Sequence, residues 1–176
     1  MSEQKSLKSG ILVRLTIPII VFIILETFLS YFVTLHYVDK TYDHWLLDSA
    51  YSLAQEIKVK NANVLVELPL PALEIVRWDE LDKTYFKITS VNKGLLAGDA
   101  FVPEAKVNRE LSTPLFFSST IDEVPVRVVA LSVRRPDIQD TFHIHVAETL
   151  NKRKAATRDI MLADLIPQIV MVFFAI

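Results

Sequence analysis

Apolar residues crowd the two ends of the chain and alternate with polar ones in its middle. From Leu15 to Val38 the run LTIPIIVFIILETFLSYFVTLHYV contains one acid, Glu26, and no lysine or arginine. At about 1.5 Å per residue it covers a hydrocarbon core of roughly 30 Å, so a transmembrane helix is predicted over 15–38. The run is too long for a signal-peptide apolar region, and no small-residue cleavage pattern follows it. A second run, Ile160 to Ile176 (IMLADLIPQIVMVFFAI), spans only about 25 Å as a helix. It reads as a second transmembrane helix over 160–176 that is cut short. The alternative is a short anchor that ends there, without the usual basic flank.

Between the two runs the period changes. In DKTYDHWLLDSAYSLAQEIK, positions Tyr42, Trp45, Leu46, Ser49, Leu53 and Ile57 recur at helical spacing, an amphipathic stripe continuing the first span. VLVEL (Val64–Leu68) reads as a strand closed by Pro69 and Pro71, and Pro71 opens a short helix to about Arg77. YFKITSV (Tyr85–Val91) alternates, and Asn92-Lys93-Gly94 turns it into LLAG, a hairpin. The stretch from Asp99 to Thr120 has weak periodicity and reads mainly as loop. VPVRVVALSV (Val124–Val133) is the longest strand, and TFHIHVAE (Thr141–Glu148) pairs back on it. The expected fold class is α+β, a small antiparallel sheet with packed helices between two membrane spans. The expected parts are a cytoplasmic terminus (1–14), a span (15–38), a sensor-sized body (39–150), a helical connector (151–159) and the second span (160–176).

Charge sets the orientation. Lys5, Lys8 and Arg14 precede the first span, opposed by Glu3, and Asp39, Asp43 and Asp48 follow it, so the amino terminus is expected to be cytoplasmic. The basic group Lys152, Arg153, Lys154 and Arg158 pulls the other way, but long loops translocate largely regardless of charge. The net charge of −2 hides a body, Asp39 to Glu148, with 17 acids and 12 bases. Such a balance excludes a nucleic-acid binder that works through phosphate contacts. A chain without cysteine has no disulfide, thiolate nucleophile or cysteine-ligated metal.

Candidate chemistry is sparse. No nucleophile elbow, HExxH helix or glycine-rich phosphate loop is present. His143 and His145, two apart on a strand, face one side and are a metal-ligand candidate with Asp140 or Asp137. A solvated strand face or a proton-sensing pair is the alternative. Arg127, Arg134 and Arg135, with Arg77, Lys83, Lys87 and Tyr85, are candidates to converge on an anion such as a carboxylate. Glu26, Asp164 and Gln168 are costly in an apolar span unless partnered, and Glu26 is expected to bond Gln168 or Thr27 across a dimer. Pro18 and Pro167 are expected kinks, so Glu26, Pro167 and Gln168 together form a candidate signalling joint.

The strings YDHWLLDSAYSLAQEI, DKTYFKITSVNKGLLAGDAFVP, VPVRVVAL and AETLNKRKAATRDIMLADLIPQ together resemble the N-terminal domain of two-component sensor kinases. The likeness runs from about Ile11 to Ile176 and extends to the sensors of tricarboxylate transport. It implies a PAS-like periplasmic sensor between two spans of the bacterial inner membrane, acting as a homodimer. The expected signal is a small molecule, for instance a carboxylate, or a periplasmic binding protein. The parent protein would be a protein-histidine kinase with HAMP, phospho-acceptor and ATP-binding domains, addressing a response regulator. This sequence has no motif of those domains, so ATP and magnesium would belong to them and no cofactor is expected here. Two other readings share the architecture: the input domain of a chemoreceptor or cyclase, and a stand-alone bitopic binding protein.

Overall fold

The computed structural model describes residues 2–60, 63–66, 81–105, 113–135 and 139–175. The elements are α1 (Ser2–Gln55), β1 (Ile57–Lys60), β2 (Asn63–Val66), β3 (Thr84–Ser90), β4 (Gly94–Gly98), β5 (Leu115–Ile121), β6 (Val124–Arg135), β7 (Asp140–Thr149) and α2 (Asn151–Ala175). The chain is therefore α+β, with a long apolar amino-terminal helix and a five-stranded antiparallel sheet. It divides into a helical unit, Met1–Asp39 with Lys154–Ile176, and a sheet unit, Lys40–Arg153.

In the helical unit, α1 runs on through Pro18 as one helix, and Phe22, Ile24, Leu25, Phe28 and Leu29 stay exposed. Among the described residues α1 is the one helix long and apolar enough to cross a membrane. Arg158, Asp159 and Asp164 interrupt the apolar side chains of α2, which does not reach that threshold. Pro167 likewise lies inside an unbroken helix.

The sheet unit has the strand order β4-β3-β7-β6-β5, with every neighbouring pair antiparallel. Both expected hairpins are present, and β7 sits at the centre because it pairs with β3 as well as β6. Two strands were not expected. β5 falls in the stretch of weak periodicity, and β1 pairs with β2 where the apolar stripe of α1 predicts more helix. The short helix expected up to Arg77 lies outside the described residues.

Residues paired across antiparallel strands point to the same side, so the register sorts the side chains into two faces. On one, the helix face, Phe86, Ile88, Val129, Leu131, Phe142, Ile144 and Val146 pack with Leu46, Ala50, Leu53 and Ile57. Each large side chain buried there stabilises the unit by about 1.5–3 kcal/mol. The stripe of α1 that meets the sheet is rotated from the expected one: Trp45 is exposed, and Ala50, not Ser49, is buried. On the other face, Val126, Val128 and Ala147 pack with Ile121 and Val102, the last of these from the segment following β4.

Candidate functional site

That second face bears the basic side chains that alternation on β3 and β7 puts in line. The register sets Lys87 opposite His145 and Thr89 opposite His143, with Ala130 and Ser132 of β6 completing the two rows. Residues 99–105 form a strap across it. The strap begins with a hydrogen bond from the Asp99 N–H to the Phe86 carbonyl (2.7 Å), and its Val102 side chain is buried. Lys87 Nζ donates to the Ala100 carbonyl (3.0 Å) and pairs with the Glu104 carboxylate at 2.7 Å. The Ala105 N–H reaches His145 Nε2 at 3.5 Å, and Ser132 Oγ lies 2.8 Å from His143 Nδ1.

Burial sets the protonation of His145. His145 is only 5% exposed, and desolvation lowers its pKa to about 4, with the Glu104 carboxylate opposing and Lys87 adding to the fall. The hydrogen bond from Lys87 holds the Glu104 carboxyl below its usual range. A neutral His145 that accepts at Nε2 carries its proton on Nδ1. That buried atom has no hydrogen-bond partner among the described residues.

The anion candidates are divided by the sheet. Lys87 and Tyr85 share the strap face, where the Tyr85 ring meets Phe101 edge-on at 5.5 Å between centroids. Arg134, opposite Thr141, lies on the same face and is exposed. Arg127, opposite Glu148, is on the helix face, so it does not converge with Lys87 and Tyr85. Arg135 is also on the helix face and donates to the Ile57 carbonyl at 2.8 Å. Lys83 is exposed just before β3, and Arg77 lies outside the described residues.

His143 and His145 do share a side, but Asp140 faces away from them, accepting from Ser90 Oγ at 2.7 Å. Asp137 lies outside the described residues, and no group of three or more His, Cys, Asp or Glu placed to hold a metal occurs among the described ones.

The family model of the two-component sensor kinase N-terminal region matches residues 19–160. The chain belongs to this family. The match enters within the apolar part of α1, takes in the whole sheet unit and ends early in α2. No curated protein and no solved structure matches the chain.

In this sensor-kinase N-terminal region, the sequence gives little sign of the polar cluster where the sheet unit's chain enters and leaves. Asp43 of α1 takes Arg127 Nε and Nη2 at 3.0 and 2.7 Å, and Arg153 Nη2 at 2.8 Å. Burial alone would raise the Asp43 carboxyl, but the two guanidiniums outweigh it and hold it below the usual carboxylate range. Arg153, 5% exposed, also lies over the Tyr42 ring. Buried Asp82 accepts the N–H groups of Asn151 (2.8 Å) and Lys152 (2.9 Å) and the Thr149 hydroxyl (2.5 Å), an N-cap for α2 supplied from far along the chain. Burial raises the Glu148 carboxyl, with its ion pair to Lys152 (3.0 Å) opposing. One signal was legible: Asp43 lies in phase with Leu46, Ala50, Leu53 and Ile57, a charge on a buried stripe.

Within the helical unit, Gln168 Nε2 donates to Glu26 at 2.5 Å and to Asp164 Oδ1 at 3.4 Å, and Gln168 Oε1 faces the Thr27 hydroxyl at 3.5 Å. The expected partners of Glu26 thus come together within one chain. Pro167 is exposed beside them and takes no part in the contacts.

Proposed function

We propose that this chain is the extracytoplasmic sensing and transmembrane input module of a bacterial two-component sensor histidine kinase. The observation that carries the reading is the span of the family match, which joins the apolar stretch of α1 to the complete sheet unit. In this reading the sheet unit is a PAS-like periplasmic sensor held between spans at 15–38 and 160–176, with the amino terminus in the cytoplasm. The basic residues before the first span and the acids after it support that orientation. The module works as a homodimer in the inner membrane, and its output reaches a response regulator through a kinase domain.

The signal binds on the strap face, where Lys87, Tyr85, His143 and His145 stand and Arg134 lies at the margin. Binding favours one packing of the sheet unit over another, and a ligand shifts such an equilibrium only by its differential affinity for the two. The segment of α1 at Asp43, paired with Arg127 of β6, and the start of α2 at Arg153, paired with Asp43, pass the bias toward the membrane. Glu26 and Gln168 hold the two helices in register within the span.

The cysteine-free sequence makes the topology directly testable. Asn92→Cys, in the exposed β3–β4 turn, should react with a membrane-impermeant maleimide on intact cells, and Ser6→Cys only after lysis. Labelling of Ser6→Cys on intact cells, or protection of Asn92→Cys, overturns the proposed orientation.

A further inference from the structure

The ion pair that closes the strap is asymmetric. Its cation, Lys87, is built into β3 with a side chain only 12% exposed, and His145 and His143 stand beside it on β7. Its anion, Glu104, is 57% exposed and comes from the strap, which is not part of the sheet. The floor of the site also has donor capacity to spare. Lys87 has three ammonium hydrogens for the Ala100 carbonyl and Glu104, and the buried Nδ1 of His145 has no acceptor among the described residues. Burying a donor unpaired is unfavourable, so this floor favours an occupant that brings acceptors.

We propose that Glu104 is an internal stand-in for the signal: its carboxylate sits on Lys87 where the carboxylate of a small organic acid binds, and the acid enters by displacing residues 99–105. The inference rests on the reading of the sheet unit as a sensor. The chemical class follows from the present occupant, since a place that seats a glutamate side chain already has the charge and spacing for one carboxylate. With His145 neutral well above pH 4, the fixed positive charge is mainly that of Lys87, which suits a monoanionic group better than a dianionic one. Releasing Ala100, Glu104 and the Ala105 N–H together would couple occupancy to the strap and to the Val102 side chain packed on Val126, Val128 and Ala147.

An internal competitor weakens the apparent affinity of the external ligand by the fraction of time the site is open. A strap closed nine-tenths of the time or more therefore lowers it by about tenfold or more. The test is isothermal titration of the full chain in detergent micelles with acetate, succinate and citrate as probes and sulfate as control. At least one acid should bind the wild type. Glu104→Gln should tighten that binding about tenfold, Lys87→Met should abolish it, and Lys87→Arg, which keeps the charge, should retain part of it. Affinity unchanged or weakened in Glu104→Gln overturns the stand-in role, and preferential binding of sulfate overturns the carboxylate assignment. Absence of binding by every probe in both wild type and Glu104→Gln also overturns the proposal. Maleimide labelling of Asn92→Cys and Ser6→Cys tests the sensor topology separately, so the two failures are distinguishable.

Discussion

His145 makes the stability of the sheet unit depend on pH below neutrality. Its side chain is 5% exposed, and its pKa falls from 6.5 to about 4 on folding. The unfolded chain therefore takes up a proton at this position before the folded one does as the pH drops. The stabilisation is fully present above about pH 6.5 and is lost as the pH falls toward 4. Linkage between those two values gives a loss of about 2 kcal/mol between pH 8 and pH 5, and about 3 kcal/mol once the pH is below both. The perturbation is His145→Gln, whose amide oxygen still accepts the Ala105 N–H but does not titrate. Urea denaturation of both full-length proteins in a mild detergent, followed by near-ultraviolet circular dichroism, measures the difference. The Asp43, Glu104 and Glu148 carboxyls titrate in both proteins, so the wild-type-minus-variant difference isolates the imidazole. A difference that stays constant from pH 8 to pH 5 would refute the reasoning.

Asp43→Asn removes the carboxylate charge that Arg127 and Arg153 share, a loss on the order of 3 kcal/mol by urea denaturation. Asp43→Asn with Arg153→Met should cost less than the two changes summed, because they remove one and the same ion pair. Asp82→Ala deprives the first turn of α2 of its cap and should cost about 1–3 kcal/mol, with hydrogen exchange rising first at Asn151 and Lys152. The two β4 glycines should respond differently. At Gly98 (φ +91°) an added Cβ would stand 2.2 Å from the Phe86 carbonyl oxygen, and at Gly94 (φ +75°) it meets nothing within 4 Å. Gly94→Ala should therefore cost about 1 kcal/mol of backbone strain and Gly98→Ala several-fold more, read as the shift in thermal midpoint.

The elements legible in the sequence were those with a sustained pattern, α1, α2 and strands β3, β6 and β7, together with β2 and β4, which prolines and the Asn92-Lys93-Gly94 turn marked off. β5 escaped because LFFSSTI shows no clean two-residue alternation, and its pairing with β6 supplies what its own pattern lacks. β1 escaped because Ile57 keeps the helical phase of Leu46, Ala50 and Leu53 and is buried among them, so the switch to strand leaves no mark in the apolar spacing. Two-residue spacing was enough to put His143 and His145 on one side. It could not show that Arg127 and Lys87 are on opposite sides. That depends on register, Arg127 standing across from Glu148 and Lys87 across from His145, and an offset of one residue would reverse it. Glu104 had no signal at all, because a carboxylate in an aperiodic segment gains its meaning only from the lysine on which the chain lays it.

The ion pair between Asp43 and Arg153 has a consequence for how such a body can be moved between proteins. The sheet unit runs from Lys40 to Arg153, so a salt bridge joins residues next to its two ends. A fold whose ends meet is a closed excursion of the backbone and makes few demands on the chain at either side. It can be lifted out and set between other helices, or joined end to end by a short linker and reopened in the β3–β4 turn, without drawing its ends apart. Exchange of whole bodies at residues 40 and 153, with the flanking helices retained, is thus the natural cut for building receptors with new inputs.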